Sequence, residues 1–214
     1  NEDGLQESAC SRSTGAMQRG DFNVYGLDGN KLSPAPTPES LQPNPDSVYA
    51  TSKLMQEYLI KNLSSGIDWT ILRFQNVYGP GQSLRNPYTG VLSIFCSQIR
   101  SGKMLEVYED GNIFRDFVYV DDVVSSLVAS IDSAGKQIIN IGSGQSTSMI
   151  DVVELLLELA RSKGFSSEYS ISGKFRDGDI RFAQADISKA LLHLNWRPQT
   201  SLRKGLMQLV DWCL

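Results

Sequence analysis

The sequence predicts an α/β fold, on three observations. Apolar segments with strand-like and helix-like periods alternate from residue 46 to the carboxyl terminus. Clusters of Gly, Pro, Asn and Ser separate these segments. A chain of 214 residues with 41% hydrophobic and 21% charged residues is long enough, and apolar enough, for one large or two small domains.

Residues 1–45 are rich in Gly, Ser, Asn, Asp and Pro and close on Pro34, Pro36, Pro38, Pro43 and Pro45, so they read as a long polar loop or insertion. Asp46 is placed to cap a helix reaching about Asn62, with Leu54, Met55, Tyr58 and Leu59 as its apolar stripe. Residues 69–74 form a strand. Residues 78–90 form a loop, and residues 91–100 form a helix that Ser101 and Gly102 stop. Two strands come next, near 104–108 and 114–120, joined by a turn at Glu109, Asp110, Gly111 and Asn112. Asp121 begins a helix. A strand at 137–141 passes through Gly142, Ser143 and Gly144 into a helix over 149–163. Ser148 and Asp151 approximate a capping box for that helix, and Ile150, Val153, Leu157 and Ala160 form its buried stripe. Short strands near Tyr169 and Phe182 and helices over 187–194 and 202–212 complete the chain.

Several function classes recede on composition. No window approaches the roughly 18 to 20 consecutive apolar residues of a membrane span, and nothing reads as a targeting segment. A net charge of −4 argues against a nucleic-acid binder. Cys10, Cys96 and Cys213 are far apart and outside any C-x-x-C pair, so free thiols in a reducing, cytoplasmic setting are expected. His193, the one histidine, sits in a helix-like run without a second ligand, and no metal site is expected. The chain starts at Asn1 rather than methionine, so sequence upstream is expected.

Tyr49, Ala50, Thr51, Ser52 and Lys53 put a phenol and an ammonium four residues apart, on one helical face about one turn from each other. A phenol is a poor base at neutral pH, but a fixed cation beside it favours the phenolate. Tyr and Lys at this spacing also occur by chance on exposed helices, so the pair gains meaning only from the motifs downstream of it. Leu72-Arg73-Phe74-Gln75-Asn76-Val77-Tyr78-Gly79-Pro80 stands at the end of a strand, where open α/β sheets place their ligand crevice. Val107-Tyr108-Glu109-Asp110-Gly111 comes next, then Arg115-Asp116-Phe117-Val118-Tyr119-Val120-Asp121-Asp122 and Asn140-Ile141-Gly142. The tail carries Arg176-Asp177-Gly178-Asp179, Ala185-Asp186-Ile187-Ser188-Lys189-Ala190 and Asn195-Trp196-Arg197-Pro198.

From Pro43 to Leu214 these motifs, in order and spacing, resemble the extended short-chain dehydrogenases that act on nucleotide sugars as epimerases and dehydratases. Residues 85–91 and the polar insertion are most similar to those of dTDP-L-rhamnose 4-epimerases. The resemblance implies the carboxyl-terminal part of a Rossmann-type parallel sheet plus a smaller α/β substrate-binding domain. On this division residues 46–90 belong to the cofactor side with the catalytic helix. Residues 91–214 belong mainly to the sugar side, with a return near 114–145.

It further implies that Tyr49 is the active-site base and that Lys53 holds the nicotinamide ribose of NAD, while Phe74, Asn76 and Val77 line the nicotinamide and sugar region. Asn76 and Arg115 match residues that contact the substrate diphosphate, and Val107 and Tyr108 match the segment beside the base. Arg176 matches a second diphosphate-binding arginine, with Asp179 beside it, and Val91 falls on the substrate side. A planar guanidinium fork suits phosphate oxygens. The implied ligand is a nucleotide-diphosphate sugar, and the implied assembly is a homodimer through the helix of Tyr49, with Tyr58 or Leu59 free for the partner.

Four departures stand against the pattern. Gln75 replaces a common aromatic residue, and Asp177 a common proline. Gly142-Ser143-Gly144 lacks the third glycine of a dinucleotide fingerprint and reads as a turn. No glycine-rich strand-to-helix run and no ribose-binding carboxylate precede Tyr49. The expected reaction is NAD-dependent epimerisation at C4 through a transient keto-sugar. The alternatives are a 4,6-dehydratase and a truncated, non-catalytic chain that binds nucleotide sugars.

Overall fold

The computed structural model describes residues 12–84, 90–133 and 135–214. Cys10 and residues 85–89, which carried part of the resemblance, lie outside them. The described part of the polar segment is not all loop. It holds the short helix α1 (Thr14–Gln18) and buries Met17 and Phe22.

Helix α2 (Val48–Leu63) starts one residue later than Asp46 would start it, because Ser47 is the cap and its hydroxyl accepts the Ala50 N–H at 3.1 Å. Its expected stripe meets no core: α2 has no buried residue, and Met55, Tyr58 and Leu59 are about half exposed. Arg73 ties it to the neighbouring strand, donating to both oxygens of Glu57 at 2.7 and 2.9 Å. That strand, β1 (Trp69–Phe74), leads directly to β2 (Asn76–Tyr78), and α3 (Val91–Arg100) comes after it.

Next come β3 (Leu105–Val107), β4 (Phe114–Arg115), β5 (Phe117–Tyr119) and α4 (Val120–Ile131). The hairpin expected across 104–120 does not form. β3 instead pairs in parallel with β8 (Tyr169–Ile171), and β4 pairs antiparallel with β7 (Thr147–Ser148). β5 pairs in parallel with β2, and β1 pairs in parallel over six positions with β6 (Lys136–Ile141). Parallel pairing of strands joined through helices is the α/β arrangement the alternation of elements predicts. Near Phe182 there is only an isolated bridge to Phe114.

Helix α5 (Met149–Arg161) is capped by Ser148, whose hydroxyl accepts the Asp151 N–H and meets the Asp151 carboxylate at 2.5 Å. Its buried face is wider than the expected stripe. Val152 and Leu156 are fully buried with Val153, while Ile150 lies at the rim of the core. Each such side chain contributes about 1.5 to 3 kcal/mol on burial. Helices α6 (Ser188–Leu194) and α7 (Leu202–Cys213) close the chain, and Ser201 caps α7 through the Lys204 N–H.

Two apolar clusters result, and β5 faces both. Phe117 and Tyr119 join α3, α5 and α7, whereas Val118 points the other way into the cluster of Ile139, Ile141, Ala190, Leu194 and Trp196. Residues 188–196 thus return to the β1–β6 side, which the sequence pattern does not signal. Gly205 lets α7 close on the ring of Tyr78, where a Cβ would collide with the phenol. Among the described residues no helix is long and apolar enough to cross a membrane.

Candidate active site

Tyr49 and Lys53 occupy one face of the first two turns of α2, as their spacing requires, with Lys53 Nζ 5.7 Å from the centre of the Tyr49 ring. The Tyr49 side chain is open, at 72% exposure. A phenol there meets solvent or ligand freely, with its cation one turn away.

The end of β1 turns toward β5. Phe74 is partly exposed, the Asn76 backbone N–H donates to the Asp116 carbonyl at 3.0 Å, and Asn76 and Val77 stand opposite Phe117 and Val118 in the β2–β5 register. Arg115, the residue before Asp116, comes to the same place. Its guanidinium is largely buried and donates to the Asp179 carboxylate at 2.7 Å and to the carbonyls of Phe114 and Ile180 at 2.9 and 2.6 Å. Burial weakens its hold on the proton more than the nearby carboxylates strengthen it.

Arg176 lies over the Tyr108 ring at 5.3 Å, a cation–π contact that joins two of the expected ligand residues. Val107 is different. Its side chain is fully buried in the core and its carbonyl accepts from Ser172, so no part of its side chain faces a ligand. Val91 packs against the same core. The loop of Arg176 and Asp179 approaches the start of α2, since a Cβ on Gly178 would come within 2.9 Å of Asp46 Oδ2. Asp46, displaced from its expected capping role, brings that loop within three residues of Tyr49.

Sequence reasoning missed the residues that hold this region. Asp116 is fully buried, and its carboxylate accepts from the Ser143 N–H and hydroxyl, each at 2.6 Å, and from the N–H groups of Gly144 and Ala185, each at 3.1 Å. Gly142 permits this approach, because a Cβ there would lie 2.6 Å from Asp116 Oδ2. The Gly142–Gly144 turn therefore serves a carboxylate of the protein itself. Glu109, read as a turn residue, is only 1% exposed and bonds both Arg12 and Arg181 at 2.7 Å. Its positive φ of 54° is the trace of that placement. Arg181 also forks onto both oxygens of Asp110 at 2.7 Å. Nothing local in the sequence marks Arg12.

Comparisons with known proteins agree with one another. Residues 22–142 match the NAD dependent epimerase/dehydratase family. The dTDP-L-rhamnose 4-epimerase of Burkholderia thailandensis is 43% identical over 175 residues, covering 80% of this chain and 47% of that protein. The fold superposes on the UDP-glucose 4-epimerase of Thermotoga maritima, solved with UDP-glucose, with a TM-score of 0.75 at 33% identity over 85% of this chain and 58% of that one. UDP-glucuronic acid 4-epimerase from Bacillus cereus, solved with UDP-glucuronic acid and NAD, gives 0.74 at 30% identity, over 89% and 58%. The chain spans about half the length of the curated relatives it matches. Matched over more than half of its residues and folded as these α/β structures are, the chain belongs to the NAD dependent epimerase/dehydratase family.

Proposed function

We propose that this chain forms the catalytic-helix and sugar-binding part of an NAD-dependent nucleotide-sugar 4-epimerase. One observation carries the reading: the open Tyr49–Lys53 pair begins a helix whose start lies against the loop of Arg176 and Asp179, with Arg115 bonded to that loop. A proton-transfer pair thus stands beside guanidinium groups suited to a diphosphate. The relatives, named as 4-epimerases of dTDP-L-rhamnose, UDP-glucose and UDP-glucuronate, support the same class.

The residues present fit the nicotinamide end of NAD and not its pyrophosphate, because no glycine-rich dinucleotide turn occurs in the sequence. Tyr49, Lys53, Phe74, Asn76 and Val77 would hold that nicotinamide end, and the bound cofactor would supply a reversible hydride acceptor for a sugar carbon. On this chain, Tyr49 takes the hydroxyl proton at that carbon and later gives it back, while Lys53 keeps positive charge one turn away. Asn76 and Phe74 border the sugar. Arg115 and Arg176 hold the diphosphate, and Tyr108 flanks the base. Inversion at C4 through a transient keto-sugar is the outcome expected of this arrangement.

We assign residues 46–90 and 114–145 to the cofactor side, and the remainder of 91–214 mainly to the sugar side. The half-exposed Met55, Tyr58 and Leu59 of α2 support a homodimer, and the free, buried Cys96 and Cys213 support a reducing, cytoplasmic setting. The missing glycine fingerprint favours a second reading for the chain by itself, as a nucleotide-sugar binder without turnover. The test is to join the chain to a glycine-rich cofactor-binding half and offer UDP-glucose, UDP-glucuronate and dTDP-L-rhamnose. Appearance of the C4 epimer by NMR is expected, and a 4-keto-6-deoxy product would instead establish the dehydratase.

A further inference from the structure

Arg12, in the polar segment upstream of α2, and the buried Glu109 take no part in the chemistry of Tyr49 and Lys53, yet they hold the loop that Arg115 grips. Glu109 divides its carboxylate, Oε1 accepting from Arg12 Nη1 and Oε2 from Arg181 Nη1, each at 2.7 Å. Its backbone is held as well, donating to the Lys174 carbonyl at 2.8 Å and accepting from the Gly173 N–H at 3.2 Å. Buried to 1% and bonded on every side, this carboxylate is a fixed point.

Arg12 carries that fixed point to the ligand arginine. Its side chain is only 6% exposed, and its second nitrogen donates to the Asp179 carbonyl at 2.5 Å. Arg115 takes the same segment by other atoms, the Asp179 carboxylate at 2.7 Å and the Ile180 carbonyl at 2.6 Å. Residues 179 and 180 are therefore clamped between two guanidinium groups. Asp179 is the partly exposed member, with a side-chain exposure of 33% against 15% for Arg115.

We propose that Glu109 and Arg12 are positioning residues that set Arg115 for an anionic nucleoside diphosphate by fixing the Asp179–Ile180 segment. This rests on the reading of Arg115 as a diphosphate-binding residue. Neither positioning residue touches the ligand. A planar fork is needed, because one guanidinium must reach the Glu109 carboxylate and the Asp179 carbonyl at once, which a single ammonium on a flexible stem does not reproduce.

The test titrates UDP and dTDP into the 214-residue chain by calorimetry, for wild type, Arg12→Gln, Arg115→Gln and the double variant, with thermal unfolding measured on each. Arg12→Gln is expected to weaken binding by about tenfold, the scale of one charge-assisted hydrogen bond, and to cost nothing further once Arg115 is already Gln. Arg12→Lys should bind as weakly as Arg12→Gln, and keeps the proposal testable should Arg12→Gln not fold. Equal losses in both backgrounds, or a lower melting temperature with unchanged affinity, would make Arg12 a structural staple and overturn the proposal. Wild-type binding that ignores Arg115→Gln would overturn the diphosphate reading itself, and the relay with it. Arg115→Gln weakening UDP while Arg12→Gln does not would remove the relay alone.

Discussion

Asp116 holds Ser143 twice, accepting its backbone N–H and its hydroxyl on the same carboxylate oxygen at 2.6 Å each. These bonds fasten the junction between β4, which carries Arg115, and β5, which begins at Phe117, to the turn after β6, and the Ala185 N–H adds the tail at 3.1 Å.

Asp116→Ala leaves three backbone N–H groups without their acceptor in a buried place. We expect a loss of about 3 to 5 kcal/mol, the range for breaking a buried charged network. Urea unfolding of the chain measures it. A change under about 1 kcal/mol would mean that water replaces the carboxylate.

Tyr49→Phe, in the chain joined to a cofactor-binding half, should abolish sugar oxidation while nucleotide-sugar affinity stays within about twofold, because only the acid/base hydroxyl is lost. Hydride transfer is read by absorbance of the reduced cofactor. Turnover above a few per cent of wild type would remove Tyr49 from the mechanism.

Arg115→Ala and Arg176→Ala should each weaken UDP binding by about 1.5 to 3 kcal/mol, the range for hydrogen bonds to charged groups. Their losses should not add, since both would face one diphosphate. Arg115→Ala should also lower stability, because it bonds two carbonyls and Asp179 in a nearly buried place, whereas the exposed Arg176 should not. Calorimetry and thermal unfolding separate the two effects.

Acid should loosen the Arg181 cluster. Burial works against ionisation of Asp110, but the bonds from Arg181 and the Asn112 N–H outweigh it and hold its pKa at about 2. A carboxylate depressed in the folded state contributes stability above its unfolded pKa of about 3.9, and that contribution is lost as pH falls through the folded value. The window is therefore about pH 4 down to 2. Arg181→Gln should flatten the fall in melting temperature across it, and an unchanged slope would show that Asp110 is not coupled to folding.

The 214-residue chain alone should bind NAD weakly or not at all. Dinucleotide affinity in this fold depends on backbone amides of a glycine-rich turn, a helix amino end and a ribose carboxylate, and the sequence contains no such turn. Micromolar affinity by calorimetry would show that the pyrophosphate site has been misplaced.

Local signals were enough for much of this molecule. The apolar residues of 69–74 placed β1, the period and Ser148 cap placed α5, and the four-residue spacing put Tyr49 and Lys53 on one face. Each rests on interactions within a few residues, which sequence order determines by itself. Strand partners were not available in this way. β3 lies close in sequence to β4 and β5 yet pairs with β8 some sixty residues on, because the burial of Leu105 and Val107 is satisfied by α5 and its neighbours rather than by the next strand. The ion network was equally hidden: Arg12, Glu109 and Asp179 are ordinary surface residue types until folding removes water from them and leaves one another as partners. The sequence alone thus determined most of the elements and the shared face of Tyr49 and Lys53, because both follow from local periodicity, and only the tertiary structure decided which loops and charges meet beside that face, because those contacts join residues far apart in the chain.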